Sequence, residues 1–272
     1  MLGFDLTLGN AAQISCFPNV FSLNGYKPFA IKDTLNRYLP LQYLINDIQT
    51  NRITFSSPFY WQDSFETRYY ELNYQQKYSY FSEPSINSLC FTSRHATNED
   101  AMWRRYAKVG EEMVNAEINL TCLLNELSDS GVRNGFSVYL GEVIYCDKRE
   151  ILNITPSSRK FGAFFNTFTL EKYLTLLCLK RCAFSYENEI RIFVVFNNNR
   201  AKSTTLKIPV GNSLIYSRLT VSPYPPIYTP FPQPDYHDGM ESRKKKVINS
   251  CPAIYNNICV SHLFDKCPKC KL

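Results

Sequence analysis

The 272-residue chain contains few histidines and few glycines, three and ten respectively. None of the three histidines (His95, His237 and His262) stands in a recognisable pairing pattern with a cysteine, so a nucleophilic cysteine enzyme has little support. The glycines form neither a phosphate-binding loop nor a dinucleotide-binding fingerprint. Their pattern disfavours a kinase, an NTPase or a dehydrogenase.

The sequence also lacks a run of about 18 apolar residues and an N-terminal signal pattern. We therefore expect a cytoplasmic protein without a membrane partner. In a reducing compartment most of the ten cysteines are expected to be free thiols. Six of them stand singly or beside apolar residues and are predicted to be buried: Cys16, Cys90, Cys122, Cys146, Cys178 and Cys182.

The composition favours a strand-rich globular protein. Aromatic residues reach 15% of the chain, and aromatic side chains suit the pleated surface of a sheet. We expect an irregular N-terminal arm at residues 1–32, an α+β core with a mixed sheet at 33–222, and a Pro-rich, basic and Cys-rich extension at 223–272 that packs on the core. The net charge of +6 is compatible with a nucleotide or nucleic-acid ligand.

Hydrophobic periodicity predicts three helices and seven strands. The helices are expected at residues 41–48, 98–127 and 170–182, where apolar side chains recur at helical spacing. In the second of them, Trp103 and Tyr106 are expected in the core, whereas Arg104 and Arg105 could face a phosphate. Strands are expected at residues 52–56, 88–93, 135–139, 142–145, 187–196, 203–210 and 219–221.

The most informative motif is Tyr186-Glu187-Asn188-Glu189-Ile190-Arg191, which leads directly into an apolar stretch. Side chains alternate faces along a strand, so Glu187, Glu189 and Arg191 are predicted to share one face. Two interpretations are open. Paired carboxylates can hold a ribose or a base edge and stabilise positive charge at an anomeric carbon, or Arg191 can form a structural ion pair with Glu189.

Four segments, in their order along the chain, resemble an uncharacterised bacterial and phage-associated domain family of unknown function. The resemblance covers about residues 33 to 222. This chain departs from the family pattern at Gln62 and Ser64, and by an insertion around residues 110–134. The segments are Ile53 to Pro58 with Asp63-Ser64-Phe65-Glu66, Leu89-Cys90-Phe91-Thr92, Met102-Trp103-Arg104-Arg105-Tyr106-Ala107, and Tyr186 to Arg191.

The order of elements is also similar to that of ADP-ribosyltransferases, which implies a split, mainly antiparallel sheet with flanking helices and NAD as the substrate. The similarity makes Glu189 the catalytic acid, which binds the nicotinamide-ribose hydroxyl, and makes Glu187 the residue that orients the incoming nucleophile. It also implies a set of NAD-binding residues: Arg37 or Tyr38, Ser56, Ser57, Tyr60 or Trp61, Asp63, Glu66 and Arg191.

Several of these residues have a second, purely structural interpretation. Arg37 and Tyr38 equally fit the flank of a helix with a buried tyrosine. Asp63 and Glu66 fit helix capping and first-turn charge. Arg191 fits either a contact with the pyrophosphate or a role in fixing Glu189.

The resemblance implies a toxin or antiphage defence effector that transfers ADP-ribose to a protein or nucleic acid, or hydrolyses NAD, with an antitoxin or another defence protein as a partner. One rival is a metal-dependent nuclease that uses Asp63, Glu66, Glu187 and Glu189 to hold a divalent cation. Another is a non-enzymatic module that binds nucleic acid or protein through the basic run at residues 243–246 and an aromatic surface.

A structural zinc site is a further hypothesis for the C-terminal extension. Two cysteines separated by two residues, together with a nearby cysteine and histidine, have the spacing of tetrahedral zinc ligands. Free thiols are the favoured alternative because the intervening segments are short. The four residues are Cys259, His262, Cys267 and Cys270.

Overall fold

The computed structural model shows a mixed α/β fold with a large, mostly antiparallel sheet and flanking helices. It describes residues 9–27, 34–68, 85–93, 99–106, 111–166, 169–196, 204–211, 215–223, 236–250 and 258–260. Within these residues, the main sheet has 11 strands, and β8 and β9 form a second sheet of 2 strands. The strands are β1 Ala11–Gln13, β2 Val20–Leu23, β3 Thr34–Pro40, β4 Arg52–Ser56, β5 Ile86–Ser93, β6 Met113–Asn119, β7 Phe136–Glu142, β8 Ile144–Cys146, β9 Leu179–Arg181, β10 Glu189–Phe196, β11 Thr205–Pro209, β12 Tyr216–Val221 and β13 Ile258–Val260.

Helices lie beside the sheet and between its strands. None of the helices in the described segments combines the length and the apolar character needed to span a bilayer. A single helical turn at residues 64–68 follows a 3₁₀ turn at Pro58–Tyr60. The other α-helices in the described residues are α1 Leu41–Thr50, α2 Glu99–Tyr106, α3 Leu120–Asn134, α4 Lys148–Asn153, α5 Gly162–Asn166, α6 Leu170–Leu176 and α7 Tyr236–Ser250.

The main sheet divides at β5. Its strand order is β1-β2-β7-β10-β5-β3-β6-β12-β13, and β11 pairs with β4, which in turn pairs with β5. One edge of β5 pairs with β10 along most of its length. On the other edge, β3 pairs with the C-terminal end of β5 through Asn36 and Thr92, whereas β4 pairs further back through Ser56 and Ser88. A cleft therefore opens between β3 and β4.

Strand β10 is the centre of the fold, because all eight of its residues are buried. Ile190, Ile192 and Val194 point into the main apolar core, which α3 closes with leucines at helical spacing. On the opposite face, Phe193 and Val195 pack in a second cluster with residues of α6. That second face becomes charged at its N-terminal end, where Glu189 and Arg191 lie.

The helical region predicted at residues 98–127 is correct at its two ends and wrong between them. The segment contains α2, then strand β6, then the start of α3. In β6, Val114, Ala116 and Ile118 are buried while Asn115, Glu117 and Asn119 are partly exposed, which is the alternation of a strand with one buried face. Asn119 ends the strand, and its side chain accepts a hydrogen bond from the backbone N–H of Cys122, which caps α3.

The helix predicted at residues 170–182 is too long. It ends at Leu176, and β9 follows in a parallel pair with β8. The prediction therefore placed Lys180 on a helix, whereas the residue lies on a strand. The alternation of the 187–196 segment also begins later than predicted, because Glu187 belongs to a 3₁₀ turn that ends at Asn188 in the left-handed conformation, with φ of 41°.

The two ends of the chain both contribute strands to the main sheet. Strands β1 and β2 belong to it, whereas an irregular arm was expected at residues 1–32. At the other end, β13 pairs in parallel with β12, and Val247 of α7 is part of the main core. The predicted helix at 41–48 and the strands at 52–56 and 88–93 are confirmed, with slightly different ends.

Replacing Ile118 with alanine should lower the free energy of unfolding by about 2 to 5 kcal/mol, because the side chain is fully buried in β6 and its removal leaves a cavity. Urea unfolding measures the loss. Val132→Ala on α3 is the control, since Val132 is 64% exposed, and it should change stability by less than about 0.5 kcal/mol. Equal effects of the two substitutions would contradict the placement of β6 in the core.

Candidate active site

A cavity of about 340 Å³ lies where β3 and β4 diverge from β5. This volume is within the usual range for small-molecule sites, near its lower end. Residues from β3, β4, β5, β9, β10, α1, α2 and the 58–68 segment line it. The lining residues are Asn36, Arg37, Tyr38, Leu39, Pro40, Tyr43, Ser56, Tyr60, Trp61, Gln62, Asp63, Glu66, Ser88, Leu89, Cys90, Phe91, Thr92, Met102, Arg105, Tyr106, Lys180 and Glu189.

Aromatic side chains form two walls of the cavity. On the β3 side, Tyr38 stacks on Tyr106 with ring centroids 6.0 Å apart and meets Trp103 edge-to-face at 4.7 Å. On the β4 side, Tyr60 and Trp61 line the cavity from the 3₁₀ turn and the residue after it. Paired aromatic walls of this kind suit a flat ring system in the ligand.

A cluster of charged side chains lies at the base of the cavity. The Nζ of Lys180 is 2.6 Å from Glu189 Oε2, 2.8 Å from Glu187 Oε2 and 3.4 Å from Glu66 Oε1. All four residues are buried. The positive charge of Lys180 therefore brings together carboxylates from three separate segments, which would repel one another without it.

Arg191 is the second cation of this cluster, and it is fully buried. Its Nε donates to Glu189 Oε1 at 2.7 Å, and one terminal nitrogen donates to Glu66 Oε2 at 2.6 Å. The other terminal nitrogen donates to the carbonyl of Leu177. The guanidinium carbon is 4.1 Å from the centre of the Trp61 ring. Arg191 therefore fixes Glu189 and one face of Trp61, and it does not line the cavity.

Glu187 reaches the cluster from behind the cavity wall. The left-handed turn at Asn188 breaks the alternation, yet the Glu187 carboxylate still contacts Lys180, and Tyr106 Oη lies 3.5 Å from its Oε2. Among the described residues, Glu187 Oε1 is a buried atom without a hydrogen-bond partner. The two glutamates thus share Lys180, but only Glu189 faces the cavity.

The environment pushes the pKa values of these two acids in opposite directions. Burial alone would raise the pKa of Glu189, but Arg191 and Lys180 lower it to about 2. Burial raises the pKa of Glu187 above its ordinary value, with Lys180 opposing the rise. Burial would also lower the pKa of Lys180, but Glu189 and Glu66 raise it, so the ammonium keeps its proton. Two acids with separated pKa values are a recurring feature of catalytic sites.

Asp63 holds the start of the short helix at residues 64–68. Its Oδ1 accepts a hydrogen bond from the backbone N–H of Phe65, and its Oδ2 lies 3.0 Å from Arg181 Nε. This agrees with the capping interpretation of Asp63. The ion pair also anchors the loop that carries Trp61 to strand β9, next to Lys180.

Most of the predicted site residues come together in the cavity. Three do not line it: Ser57, whose buried hydroxyl accepts a hydrogen bond from the Phe59 N–H, and Glu187 and Arg191, which lie behind Glu189. Arg37 and Tyr38 lie on β3, which leads directly into α1, and Tyr38 is buried, so the structural interpretation of a helix flank with a buried tyrosine agrees with the structure, although both residues belong to a strand. The residues that line the cavity as predicted are Arg37, Tyr38, Ser56, Tyr60, Trp61, Asp63, Glu66 and Glu189.

The sequence interpretation missed Lys180 and misjudged Tyr106. Lys180 was placed on a helix face, and only the pairing of β9 with β8 brings it to the carboxylates. Tyr106 was expected in the core, whereas it lines the cavity, as does Arg105 beside it. The segment Leu179-Lys180-Arg181 is short and contains no β-branched residue. It therefore carries no strand signal that would have identified Lys180.

The structure bears on the cysteine and metal hypotheses in part. All six cysteines with described side chains are free thiols, but only Cys146 and Cys178 are buried as predicted; Cys90 and Cys122 are half-buried, and Cys16 and Cys182 are exposed. Of the four zinc candidates, Cys259 has only its backbone described, in β13, and the others lie outside the described residues. Within the described segments, no group of three or more metal-ligating side chains is arranged to hold a metal ion.

Comparisons of the chain with known proteins found no match. No protein-family model matches the chain, and no curated protein or solved structure matches it either. We therefore interpret the site from its own geometry.

Replacing Lys180 with methionine should lower the free energy of unfolding by about 3 to 5 kcal/mol, because it leaves buried carboxylates without their shared cation. Lys160→Met, at an exposed position, is the control and should have little effect. The double variant Lys180→Met, Glu187→Gln should recover part of the loss, because it removes one of the buried negative charges. If Lys180→Met were no more harmful than Lys160→Met, the buried cluster would not exist in solution.

Lowering the pH from about 5 to about 2 should remove stability that Glu189 contributes. Its pKa in the folded protein is about 2, whereas an unfolded glutamate titrates at about 4.3. The unfolded chain therefore takes up the proton first, and the free energy of unfolding falls as the pH drops, by roughly 3 kcal/mol for this group. The difference in stability between the wild type and Glu189→Gln should narrow over this range, and a constant difference would argue against a depressed pKa.

Proposed function

We propose that the protein is an ADP-ribosyltransferase-like effector, which binds NAD in the cavity of the split sheet and cleaves the bond between nicotinamide and ribose. The C1′–N bond breaks with its electron pair leaving on nicotinamide. The lone pair of an acceptor, either a macromolecule or water, then forms the new bond to C1′ and the acceptor loses a proton. The observation that carries this proposal is Glu189, an ionised carboxylate at the base of the cavity.

The hydrogen bonds of Glu189 leave room for a substrate hydroxyl. A carboxylate has about four acceptor positions. Two nitrogens of Arg191 and the ammonium of Lys180 occupy three of them, and the Cys90 thiol, a weak donor that also lines the cavity, hydrogen-bonds the same carboxylate. A ribose hydroxyl would take the place of this thiol, and the fixed orientation of the carboxylate suits the stabilisation of positive charge that develops on the ribose in the transition state.

The other lining residues match the parts of a dinucleotide. Tyr38, Tyr106, Tyr60 and Trp61 offer aromatic surfaces for a nicotinamide or adenine ring. Arg105 lines the cavity and has an exposed side chain, which suits it to a pyrophosphate. The Arg37 guanidinium lies 3.6 Å from Asp47 Oδ2 and 3.5 Å from the Thr54 carbonyl, so it is held at the cavity wall.

Lys180 and Glu187 act as positioning residues in this proposal. Lys180 and Arg191 both contact Glu189 Oε2, and Lys180 neutralises part of the charge that the carboxylates would otherwise bring to the site. Burial raises the pKa of Glu187 above its ordinary value, and its carboxylate contacts Tyr106, which lines the cavity. This supports the expected role of Glu187 in handling the nucleophile through Tyr106 or Lys180.

The branched sheet is the feature of the fold that supports an ADP-ribosyltransferase-like architecture. Strand β5 is shared by the β3 branch and the β4 branch, and the cavity lies in the fork between them. A role as a cytoplasmic toxin or antiphage effector, with an antitoxin or another defence protein as partner, follows by analogy with proteins of this chemistry.

The metal-dependent nuclease is the weaker candidate. Glu66, Glu187 and Glu189 are each within 3.4 Å of the Lys180 ammonium, and Asp63 is paired with Arg181. A divalent cation would have to displace these side chains and enter next to two fixed positive charges. The carboxylates are therefore better arranged to hold an ammonium and a guanidinium than a metal ion.

Replacing Glu189 with glutamine should reduce nicotinamide release from NAD by at least about a hundredfold, because the amide cannot supply the negative charge that stabilises the transition state. The assay uses labelled NAD, with and without cell lysate as a source of acceptor, and follows both free nicotinamide and labelled macromolecules. Glu142→Gln is the matched control, since Glu142 is exposed on β7 and lies opposite Ile190 of β10.

A cooperative unfolding transition must first show that Glu189→Gln is folded. Glu189→Asp is the second variant, because it keeps the charge and the ion pairs while retracting the carboxylate, and it should retain part of the activity. NAD chemistry at this cavity would be refuted if the wild type released no nicotinamide even with lysate present, or if Glu189→Gln released it as fast as Glu142→Gln.

A further inference from the structure

Exposed aromatic side chains gather beside the cavity. In the described part of the chain, the large exposed hydrophobic residues are Tyr43, Phe59, Tyr60, Val132 and Leu152. Three of these five flank one site. Tyr43 and Tyr60, each 57% exposed, line the cavity, and Phe59, 52% exposed, packs edge-to-face on Tyr60 with ring centroids 5.2 Å apart. Exposed aromatic residues clustered at one place indicate a binding surface.

Cations are exposed on the strands that lead to the cavity and on α2. Arg52 and Lys207 are exposed on the paired strands β4 and β11. Lys207 lies opposite Thr54, and Thr54 shares a face of β4 with Ser56, which lines the cavity. Arg105 is exposed at the other side of the cavity.

Negative charge is sparse on β3, α1, β4 and β11, whereas α2, which carries Arg105, also contains Glu99 and Asp100. Residues 34–61 contain a single acidic residue, and residues 204–211 contain none. That one residue, Asp47, is buried, with its carboxylate beside Arg37 and the Thr54 hydroxyl. The carboxylates of the cavity are also buried and paired with Lys180, Arg181 or Arg191. A ligand that approaches the cavity along β4 and β11 therefore meets cations and aromatic rings.

We propose that this aromatic rim, formed by Tyr43, Phe59 and Tyr60 with the cations Arg52, Lys207 and Arg105, binds single-stranded nucleic acid. Aromatic side chains that stack on bases, combined with basic residues that follow the phosphates, are the features by which proteins hold single strands without a fixed sequence. An acidic polypeptide would satisfy the cations but has no planar groups for the rings. The inference rests on the proposed function for its consequence, which is that the acceptor of ADP-ribose is a nucleotide of the bound strand.

The small volume of the cavity also favours a single strand over a duplex. The Glu189 carboxylate lies at the base of a cavity of about 340 Å³, at the fork of the sheet. A base within a duplex is stacked and cannot enter such a site without being flipped out. A single strand can place one unstacked nucleotide at the cavity while its neighbours stack on the rim.

The test is equilibrium binding of fluorescently labelled single strands of about 12 nucleotides, as DNA and as RNA in separate arms, to the full chain without NAD. The double variant Tyr43→Ala, Phe59→Ala should weaken binding by at least about tenfold through lost stacking. Lys207→Glu should also weaken binding and reduce its dependence on salt. Val132→Ala, Leu152→Ala is the matched control, because it removes the two exposed apolar side chains that lie elsewhere, and it should bind as the wild type does.

Tighter binding of the DNA or of the RNA arm identifies the polymer, and either result supports the proposal. The proposal is overturned if neither strand binds, if the rim variant binds as tightly as the control variant, if a duplex of equal length binds as tightly as the single strand, or if polyglutamate displaces the labelled strand as effectively as an unlabelled strand does. The last result would indicate a site for acidic protein instead.

Because binding is measured without NAD, its outcome is separate from that of the proposed function. Strand binding without nicotinamide release would leave the rim intact as a nucleic-acid site and refute the NAD chemistry. Nicotinamide release without strand binding would refute only the proposal that the aromatic rim binds single-stranded nucleic acid. With both present, radiolabel from NAD should appear on the single strand, and the rim variant should lower that transfer at limiting strand concentration.

Discussion

The buried ion cluster of Glu189, Arg191, Lys180, Glu187 and Glu66 is the constraint on which the rest of the site depends. Charges taken out of water are costly unless they are paired and hydrogen-bonded. The five residues come from four segments of the chain: β9, β10, the turn before β10, and the helical turn at residues 64–68. The pairing therefore fixes how these four segments meet.

The same cluster explains why the cavity lies where it does. Glu189 is opposite Thr92 and Arg191 is opposite Cys90 in the pairing of β10 with β5, so their side chains share the face of β5 that lines the cavity. Strand β5 is also where the sheet divides, with Asn36 of β3 paired to Thr92 and Ser56 of β4 paired to Ser88. The carboxylate therefore reaches the fork because one strand serves both as its neighbour and as the branch point.

Local patterns predicted the parts of the site that lie on regular strands, and failed where tertiary pairing decides. The alternation of Glu189 and Arg191 along β10 follows from strand geometry, and the strands around Ser56 and Thr92 have clear apolar signals. Lys180 could not be found in this way, because apolar spacing across residues 170–182 fits a helix and only the pairing with β8 makes it a strand. Residues 113–119 were likewise predicted as part of a helical region, because Met113 fits both the helical period and the strand period.

The charge balance of the cluster shows how a structural ion network and a reactive site can coincide. Glu66, Glu187 and Glu189 face Lys180 and Arg191, so the group carries one net negative charge when all three acids are ionised and none when Glu187 is protonated. Glu189 stays ionised in both states because its pKa is about 2, whereas burial raises the pKa of Glu187. Protonation of Glu187 therefore changes the net charge behind Glu189 from one negative charge to none, while Arg191 and Lys180 keep the Glu189 carboxylate ionised.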